Sequence, residues 1–381
     1  MRLAFVLYKY FPYGGMQRDF RTIVEEIQRR GHYCRVYYIS WQGDPLPQVD
    51  LRRAPVRAWS NHRRNERFLD WVQSDLAEDP VDGVVGFNKA PGLDVYFAAD
   101  PCYLELALAD RGPIYRWGGR FRHFAGWERA VFDSRADTQV LLLSESQRDI
   151  YREHYQTPLQ RLHVLPPGVT PNPQAQKEDV AVRRRIRENL GLENQELTLL
   201  FVGSGFITKG LDRVITALAT MREEQPSVTA RLLIVGQDKQ RRFSRLAKRL
   251  GVADKVEVLG GRDDVPELMQ GADVLVHPAL SEAGGIVLLE AIVAGLPVIV
   301  TDVCGYAHFV DAARDGVVLP SPFSQQDLDR AVMRCIDGVY RAECRRSALL
   351  YARLTDLDAK HQKAVDLILE LVDRNRAATR G

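Results

Sequence analysis

Short runs of apolar residues recur along the chain, separated by helix-length polar or amphipathic stretches. The runs cover residues 2–8, 34–40, 82–88 and 138–144 in the first half, and 197–203, 230–236, 255–260, 272–278 and 296–302 in the second. Most of them are continuous rather than alternating, which is typical of strands covered by helices on both faces. The pattern therefore predicts an α/β protein built on parallel sheets.

A break in this rhythm divides the chain near residue 168. The residues that crowd there are Pro166, Pro167, Gly168, Pro171 and Pro173. Such a segment sustains neither a helix nor a central strand. We therefore expect an N-terminal domain over residues 1–167 and a C-terminal domain over 168–355. Residues 356–381 are predicted to form an amphipathic helix that packs either on its own domain or back on the first.

The size and composition of the chain agree with two globular cores. A chain of 381 residues exceeds what one core usually fills, and its 45% hydrophobic content is that of a packed protein. The net charge of +2 does not by itself indicate nucleic-acid binding. Five scattered cysteines without a CxxC spacing argue against disulfides and a zinc site, so we expect a reducing cytoplasm. No apolar run approaches the about 20 residues that span a bilayer, and we expect any membrane contact to be peripheral.

The first candidate for chemistry is the stretch SEAGGIVLLE, residues 281–290, which joins a predicted strand to a predicted helix over 285–294. The helix ends where Gly295 and Pro297 follow it. Its first backbone N–H groups lack intrahelical acceptors and lie at the positive end of the helix dipole, which suits a phosphate. These groups belong to Gly284, Gly285, Ile286 and Val287.

Two glutamates flank this anion site. Glu282 lies just before the helix, and Glu290 lies about one turn into it. Carboxylates accept hydrogen bonds from vicinal hydroxyls but repel phosphates. The arrangement therefore predicts a site for a nucleotide diphosphate sugar, with the sugar at Glu282 and the ribose at Glu290. The alternative is a packed strand–helix unit with two incidental acids.

The same stretch resembles the E-x7-E element of the retaining GT-B glycosyltransferases of family 4. The resemblance implies two Rossmann-like domains whose parallel sheets face each other across a deep cleft. It also implies that Glu290 holds the donor ribose, and that Glu282 with the backbone from Ala283 to Val287 contacts the transferred sugar.

A second element, LLFVGSGFITKGLDRVI, places Lys209 near the start of a helix that follows a strand. It is not a phosphate-binding P-loop, because the lysine precedes Gly210 rather than following a glycine. By the resemblance, Lys209 neutralises the leaving diphosphate, although Ser204 stands where many relatives carry arginine. The resemblance also assigns Gly236, in the stretch VGQDK, and Arg262 to the donor site. A solvated loop lysine is the alternative interpretation.

A third element places Gly14 and Gly15 between the first strand and a helix. It does not match the GxGxxG dinucleotide fingerprint. In the family the corresponding loop faces the donor, so Asp19, one turn into the helix, is a candidate catalytic residue. A plain tight turn explains the glycines almost as well.

Residues 111–132 combine arginines with aromatic residues. At 100° per residue, Phe121 and Phe124 fall on one side with Val131, whereas Arg122 and Arg129 fall on another. Such a segment can lie on an anionic bilayer surface. The candidate membrane residues are Arg116, Trp117, Arg120, Phe121, Arg122, Phe124 and Trp127. An ordinary helix packed on the sheet is the alternative, and RNA binding is a weaker one because no RNA-binding signature accompanies it.

At the level of the whole chain, the sequence resembles the lipopolysaccharide glucosyltransferase I family. The stretches that carry this resemblance include NHRRNE, VVGFNKAPGLDVYFAAD, GFITKGLDR and VCGYAHF. It implies transfer of glucose from UDP-glucose to an inner-core heptose at the cytoplasmic face of the inner membrane. Retention by a front-face mechanism without metal or cofactor is implied as well, and the chain has no DxD carboxylate pair at a strand end.

The resemblance implies a phosphorylated acceptor, so basic residues are expected in the first domain. The candidates are Arg63, Arg64 and Lys89, with Asp100 near the reacting hydroxyl; each could equally be a surface residue. Three other functions stay open at this point: a related transferase with another donor or acceptor, an NAD-dependent epimerase or dehydrogenase, and a non-catalytic membrane scaffold.

Overall fold

The structure, a computed structural model, describes residues 1–12, 14–110, 112–169 and 180–380, without the side chains of residues 109, 110, 113 and 378–380. The chain divides into two compact units, Met1–Pro166 with Ala359–Gly381 and Pro167–Asp358. These divisions lie next to the domain limits expected from the sequence, at 167/168 and 355/356.

The elements follow one another as strand–helix units through most of the described chain. The strands are β1 (Arg2–Tyr10), β2 (Tyr33–Trp41), β3 (Asp50–Arg53), β4 (Gly83–Gly86), β5 (Val95–Ala98), β6 (Gln139–Leu142), β7 (Leu162–Val164), β8 (Leu197–Val202), β9 (Ala230–Val235), β10 (Val256–Gly260), β11 (Val274–His277), β12 (Val298–Thr301) and β13 (Gly316–Leu319). The helices are α1 (Gly15–Arg29), α2 (Asn61–Glu78), α3 (Tyr103–Asp110), α4 (Gly119–Phe132), α5 (Glu145–Tyr155), α6 (Val180–Asn189), α7 (Leu211–Glu224), α8 (Arg241–Arg249), α9 (Val265–Gly271), α10 (Ile286–Ala294), α11 (Ala307–Ala313), α12 (Gln325–Arg334), α13 (Gly338–Leu354) and α14 (Lys360–Arg380).

Each unit contains one parallel sheet. The N-terminal sheet has the order β3-β2-β1-β4-β5-β6-β7, and the C-terminal sheet has the order β10-β9-β8-β11-β12-β13. Central strands such as β1 and β8 are buried almost throughout, because helices cover both faces. The α/β class with parallel sheets predicted from the apolar runs is thus confirmed.

Both sheets reverse their winding direction beside the first strand of the unit. Successive connections run outward on one side from β1 and β8, and on the other side from β4 and β11. At such a switch point the loops at the carboxyl ends of the two central strands diverge, which leaves a crevice for a ligand. In the C-terminal unit this position lies between the loops that follow β8 and β11.

The C-terminal helix α14 belongs to the N-terminal unit and packs against α1. Arg30, just after α1, pairs with Asp366 of α14 at 2.6 Å. A second link is buried: Lys360, 1% exposed, places its Nζ 2.6 Å from the carboxylate of Asp19 on α1. The helix predicted over residues 356–381 therefore returns to the first unit.

Among the described residues, none of the helices combines the length and the apolar character that crossing a bilayer requires. All five cysteines are buried free thiols.

Candidate donor site

An ion pair occupies the switch point of the C-terminal sheet. Lys209, in the loop after β8, pairs with the carboxylate of Glu282, in the loop after β11. Their side chains are only 18% and 15% exposed, so water screens the pair weakly. The sequence assigned these two residues to different parts of a ligand, and the structure brings their charged groups into contact.

Two glycines allow the loops at this edge of the sheet to approach each other closely. A Cβ at Gly210 would lie 2.1 Å from the carbonyl oxygen of Pro278, and the residue has a φ of +73°. A Cβ at Gly236 would likewise lie 2.1 Å from the carbonyl oxygen of Gly203. Side chains at these positions would push apart the loops that hold Lys209.

Helix α10 starts one residue later than the sequence predicted. Its N-cap, Gly285, has a φ of +94°, which glycine adopts without strain. The preceding loop is fixed by residues that follow β12, because the amide of Gly305 donates to the carbonyl of Glu282 at 3.1 Å and that of Tyr306 to Gly284 at 2.8 Å. These hydrogen bonds fix the loop that leads into α10, so the N–H groups of the first turn of the helix are held in a defined position.

The other predicted donor residues of the C-terminal unit, Glu290 and Arg262, follow the carboxyl ends of strands β11 and β10. Glu290 is half-buried on α10, one turn after its first residue. Arg262 follows β10 and pairs with Asp264, with 2.7 Å between Nε and Oδ1. Sequence reasoning missed Asp238, after β9, whose carboxylate accepts the Phe206 amide at 2.8 Å and ties the β8 and β9 loops together.

The negative charge of Glu282 is stabilised although its side chain is largely buried from solvent. Burial by itself would raise the pKa of this carboxyl, but the charge of Lys209 and the nearby imidazole of His277 outweigh burial and lower the pKa to about 2. His277, the last residue of β11, lies with its Nε2 3.5 Å from Glu282 Oε2. Sequence reasoning missed this histidine, whose only signal was its position at the end of an apolar run.

In the N-terminal unit, Gly14 is the N-cap of α1 and Gly15 its first residue. The predicted catalytic residue Asp19 is 8% exposed, and its carboxylate contacts both Lys360 and the Nε2 of His361, the latter at 2.8 Å. Burial raises the pKa of Asp19, and the charge of Lys360 overcomes this and lowers it. The structure thus gives Asp19 partners on α14.

The predicted acceptor residues do not form one cluster of contacts. Lys89 donates to Glu128 at 2.8 Å and to the carbonyl of Pro101 at 2.8 Å, and Glu128 is fully buried. Arg64 donates to the side chain of Asn61 at 3.1 Å. Asp100 is exposed, after β5.

Arg63 is exposed and lines a cavity of about 710 Å³ at the N-terminal end of α2. The other lining residues are Arg57, Ala58, Trp59, Ser60, His62 and Arg67. This cavity is rich in arginine.

The predicted membrane segment forms a 3₁₀ helix, Pro113–Trp117, followed by α4; Arg111 lies outside the described residues. The rings of Phe121 and Phe124 pack near Tyr103, with centroids 6.1 and 5.5 Å away. Trp127 is partly buried and packs on the core of the unit. These three aromatic rings thus make packing contacts within the N-terminal unit.

The exposed apolar surface of this segment comes from its 3₁₀ helix instead. Ile114 is 87% exposed and Trp117 is 83% exposed. Arg116, Arg120 and Arg122 are exposed as well.

Comparison with known proteins identifies the family. Residues 182–348 match the family model of the group 1 glycosyl transferases. The chain is 46% identical to lipopolysaccharide glucosyltransferase WaaG of Escherichia coli (strain K12), over 97% of this chain and 98% of that protein. It is 31% identical to the uncharacterized glycosyltransferase MJ1607 of Methanocaldococcus jannaschii, over 83% of this chain and 84% of that protein.

Solved structures agree with this similarity. The crystal structure of WaaG, described as a glycosyltransferase involved in lipopolysaccharide biosynthesis, superposes with a TM-score of 0.92, covering 96% of this chain and 99% of that one at 46% identity. A structure of Anabaena HepE in complex with UDP-glucose has the same fold, with a TM-score of 0.74 at 19% identity over 98% of this chain and 100% of that chain. The chain is therefore a GT-B glycosyltransferase, and it belongs to the lipopolysaccharide glucosyltransferases of the group 1 family.

Proposed function

We propose that the protein transfers glucose from UDP-glucose to an inner-core heptose of lipopolysaccharide, with retention of the anomeric configuration and without a metal ion or cofactor. The observation that carries the proposal is the Lys209–Glu282 pair at the switch point, in front of the first turn of α10. The family membership supports the reaction class, and the bound UDP-glucose of HepE supports this donor.

In the proposed complex the diphosphate lies on the N–H groups of α10 and meets the ammonium of Lys209. The N–H groups and the lysine charge both stabilise phosphate oxygens. Glu290 accepts hydrogen bonds from the ribose hydroxyls, and Glu282 accepts them from the transferred sugar. Lys209 must leave Glu282 to do this, so donor binding exchanges one ionic contact for another.

The proposed reaction forms the new bond on the face that the leaving group vacates. The bond between the anomeric carbon and the phosphate oxygen breaks, and a bond from that carbon to the acceptor oxygen forms. The acceptor proton passes to the departing β-phosphate, so no carboxylate nucleophile is required, unlike in retaining glycosidases. The chain contributes stabilisation of the leaving charge by Lys209 and the helix amides, and alignment of the two substrates.

For the acceptor we propose the N-terminal unit, with Arg63, Arg64, Lys89 and Asp100. The cavity at the start of α2 supports Arg63 most directly, because its exposed arginine guanidinium groups suit a phosphorylated saccharide. Lys89 already neutralises the buried Glu128, so we expect its contribution to be mainly structural.

We further propose peripheral attachment to the anionic cytoplasmic face of the inner membrane. Exposed Ile114 and Trp117 can insert at the interface, and the arginines around them contribute about 1 kcal/mol each near an anionic surface. The related proteins named above support a site of action where lipopolysaccharide is made.

The experiment that tests the proposal is a donor panel with purified lipopolysaccharide from a strain that lacks this enzyme. UDP-glucose, UDP-galactose and UDP-N-acetylglucosamine are compared, with chelator present throughout. We expect transfer from UDP-glucose alone, an α-linked product on a heptose, and loss of transfer in the Glu290→Ala variant. Transfer from another donor would redefine the sugar, and dependence on added metal would overturn the metal-free mechanism. Membrane binding without any transfer would favour a scaffold.

A further inference from the structure

The imidazole of His277 is buried beside the donor site with its hydrogen-bonding capacity unused. Its residue is 1% exposed, and its ring stacks on Phe201 with 6.4 Å between centroids. Among the residues that the structure describes, neither ring nitrogen has a hydrogen-bond partner. Burial of an unsatisfied polar group is costly, so such a group calls for an explanation.

The position of the His277 ring relative to the ion pair offers an explanation for its unpaired nitrogens. His277 Nε2 lies 3.5 Å from Glu282 Oε2, the same oxygen that pairs with Lys209. Two groups capable of carrying positive charge thus face one carboxylate oxygen. In the free enzyme Lys209 is the closer of the two, and the imidazole stands just beyond hydrogen-bonding distance.

Donor binding changes this balance. A diphosphate carries two negative charges and attracts the Lys209 ammonium away from Glu282. A carboxylate of 15% exposure left without a cation is strongly disfavoured. A shift of a few tenths of an ångström would bring His277 within hydrogen-bonding distance of the oxygen that Lys209 vacates.

We propose that His277 is a positioning residue, which takes up a proton and holds Glu282 in place when the donor diphosphate draws Lys209 away. This inference rests on the proposed function, because it requires the diphosphate at Lys209. The proton comes from solvent, and the imidazolium then donates through Nε2 to the carboxylate. Glu282 would be fixed for the transferred sugar while Lys209 serves the leaving group.

The electrostatics of the free enzyme agree with this sequence of events. Burial lowers the pKa of His277, the contact with Glu282 raises it, and the charge of Lys209 lowers it again. The groups that face this cluster are Lys209 from the β8 loop, Glu282 from the β11 loop and the buried thiol of Cys304 after β12. Movement of Lys209 to the diphosphate removes a charge that lowers the pKa of His277, whereas the contact with Glu282, which raises that pKa, remains. The pKa of His277 therefore rises on binding, and the complex holds more protons than the free enzyme.

Calorimetric titration with UDP-glucose, in two buffers of different ionisation enthalpy, measures this proton directly. UDP-glucose is preferred to UDP, whose terminal phosphate titrates near neutral pH. We expect net proton uptake, and affinity that strengthens as the pH falls through the range between the two pKa values of His277. The His277→Gln variant keeps a neutral donor and should bind without proton uptake. The His277→Phe variant should bind about tenfold more weakly, because a hydrogen bond to a charged group is lost.

A matched control is His163→Gln, which replaces a half-buried histidine of the N-terminal unit whose Nε2 contacts Gln139 at 3.0 Å. It should keep the proton uptake of the unmodified enzyme. Binding without proton uptake in the unmodified enzyme, or full uptake retained in His277→Gln, would overturn the inference and leave the proposed function intact. Absence of UDP-glucose binding in the unmodified enzyme would instead overturn the proposed function. Thermal denaturation of each variant shows whether it is folded.

Discussion

Replacement of Lys209 by methionine tests whether the pair with Glu282 is a buried, energetically coupled contact. The substitution keeps the length and apolar stem of the side chain and removes its charge. Glu282, 15% exposed, would then lack its principal cation. Breaking a buried pair by removing one partner is far more damaging than removing both.

The size of the effect follows from the carboxyl pKa. Its fall from 4.5 to about 2 corresponds to about 3 kcal/mol, at about 1.4 kcal/mol for each tenfold change in the protonation equilibrium. A protonated His277 would take over part of the pairing with Glu282 at lower pH, but at a pH that keeps His277 neutral we expect Lys209→Met to lower the free energy of unfolding of the C-terminal unit by about this amount. The melting temperature should fall by about 6–12 °C in a unit of this size. The double variant Lys209→Met/Glu282→Gln should recover most of the loss.

The pH dependence of this stabilisation has a defined sign. Because the pKa of Glu282 is lower in the folded protein, the stabilisation is fully present above the ordinary value of 4.5. It is lost as the pH falls towards about 2, where the carboxylate becomes protonated in the folded protein too. The difference between the unmodified protein and Lys209→Met should therefore shrink on acidification.

Differential scanning calorimetry and urea denaturation of the unmodified protein, Lys209→Met, Glu282→Gln and the double variant measure the coupling energy between the two side chains. Lys248→Met serves as an exposed-lysine control. Both Lys209 variants should lose glucose transfer, including the double variant whose stability recovers. That result separates the role in transfer from the role in folding. An equal melting temperature for Lys209→Met and the unmodified protein, with a Lys209–Glu282 coupling energy below about 0.5 kcal/mol, would show that the two side chains are not energetically coupled.

Three further predictions concern other parts of the molecule. Asp19→Asn should destabilise the N-terminal unit by about 3–5 kcal/mol, because it leaves Lys360 buried without its anion; thermal denaturation measures this, and an unchanged melting temperature would mean that the charge is dispensable. Gly236→Ala should destabilise the C-terminal unit by about 2 kcal/mol and raise the KM for UDP-glucose, because the new Cβ would clash with the carbonyl oxygen of Gly203. An unchanged melting temperature and an unchanged KM would contradict the close contact between these two loops. Trp117→Ser should reduce flotation with anionic liposomes while transfer to a soluble acceptor fragment stays normal; equal flotation would exclude this face.

Central strands with apolar residues on both faces, such as β1 and β8, were predicted from the apolar pattern. Four of the described strands were not predicted, β3, β5, β7 and β13, and β5 was missed although all four of its residues are buried. Three of the four residues of β3 are charged, which the structure tolerates because β3 pairs only with β2 at the edge of the sheet. The three residues of β7 are too few to show any period.

The site was predictable where its parts are local in sequence and not where they meet over long distances. The glycine step before α10 and its flanking acids lie within ten residues, so spacing and helix geometry sufficed. The Lys209–Glu282 contact joins residues 73 apart, and the contact between Asp19 and His361 joins residues 342 apart. No periodicity encodes such pairs, which depend on strand order and on the return of α14.

The segment 111–132 shows a different limit. Helical periodicity correctly places Phe121 and Phe124 on one side of α4 with Val131, but it does not decide whether that side meets a membrane or packs within the protein. In the structure both rings pack near Tyr103, and the chain before α4 forms a separate 3₁₀ helix that ends at Trp117, before the extended Gly118. The exposed apolar side chains are consequently Ile114 and Trp117.

A crystal structure of the protein with bound UDP tests the central claim most directly. We predict a diphosphate on the N–H groups of the first turn of α10, with the Lys209 ammonium moved from Glu282 to a phosphate oxygen. The ribose hydroxyls should lie on Glu290. A nucleotide bound elsewhere, or one that leaves the Lys209–Glu282 pair undisturbed and Glu290 without contact, would contradict the account.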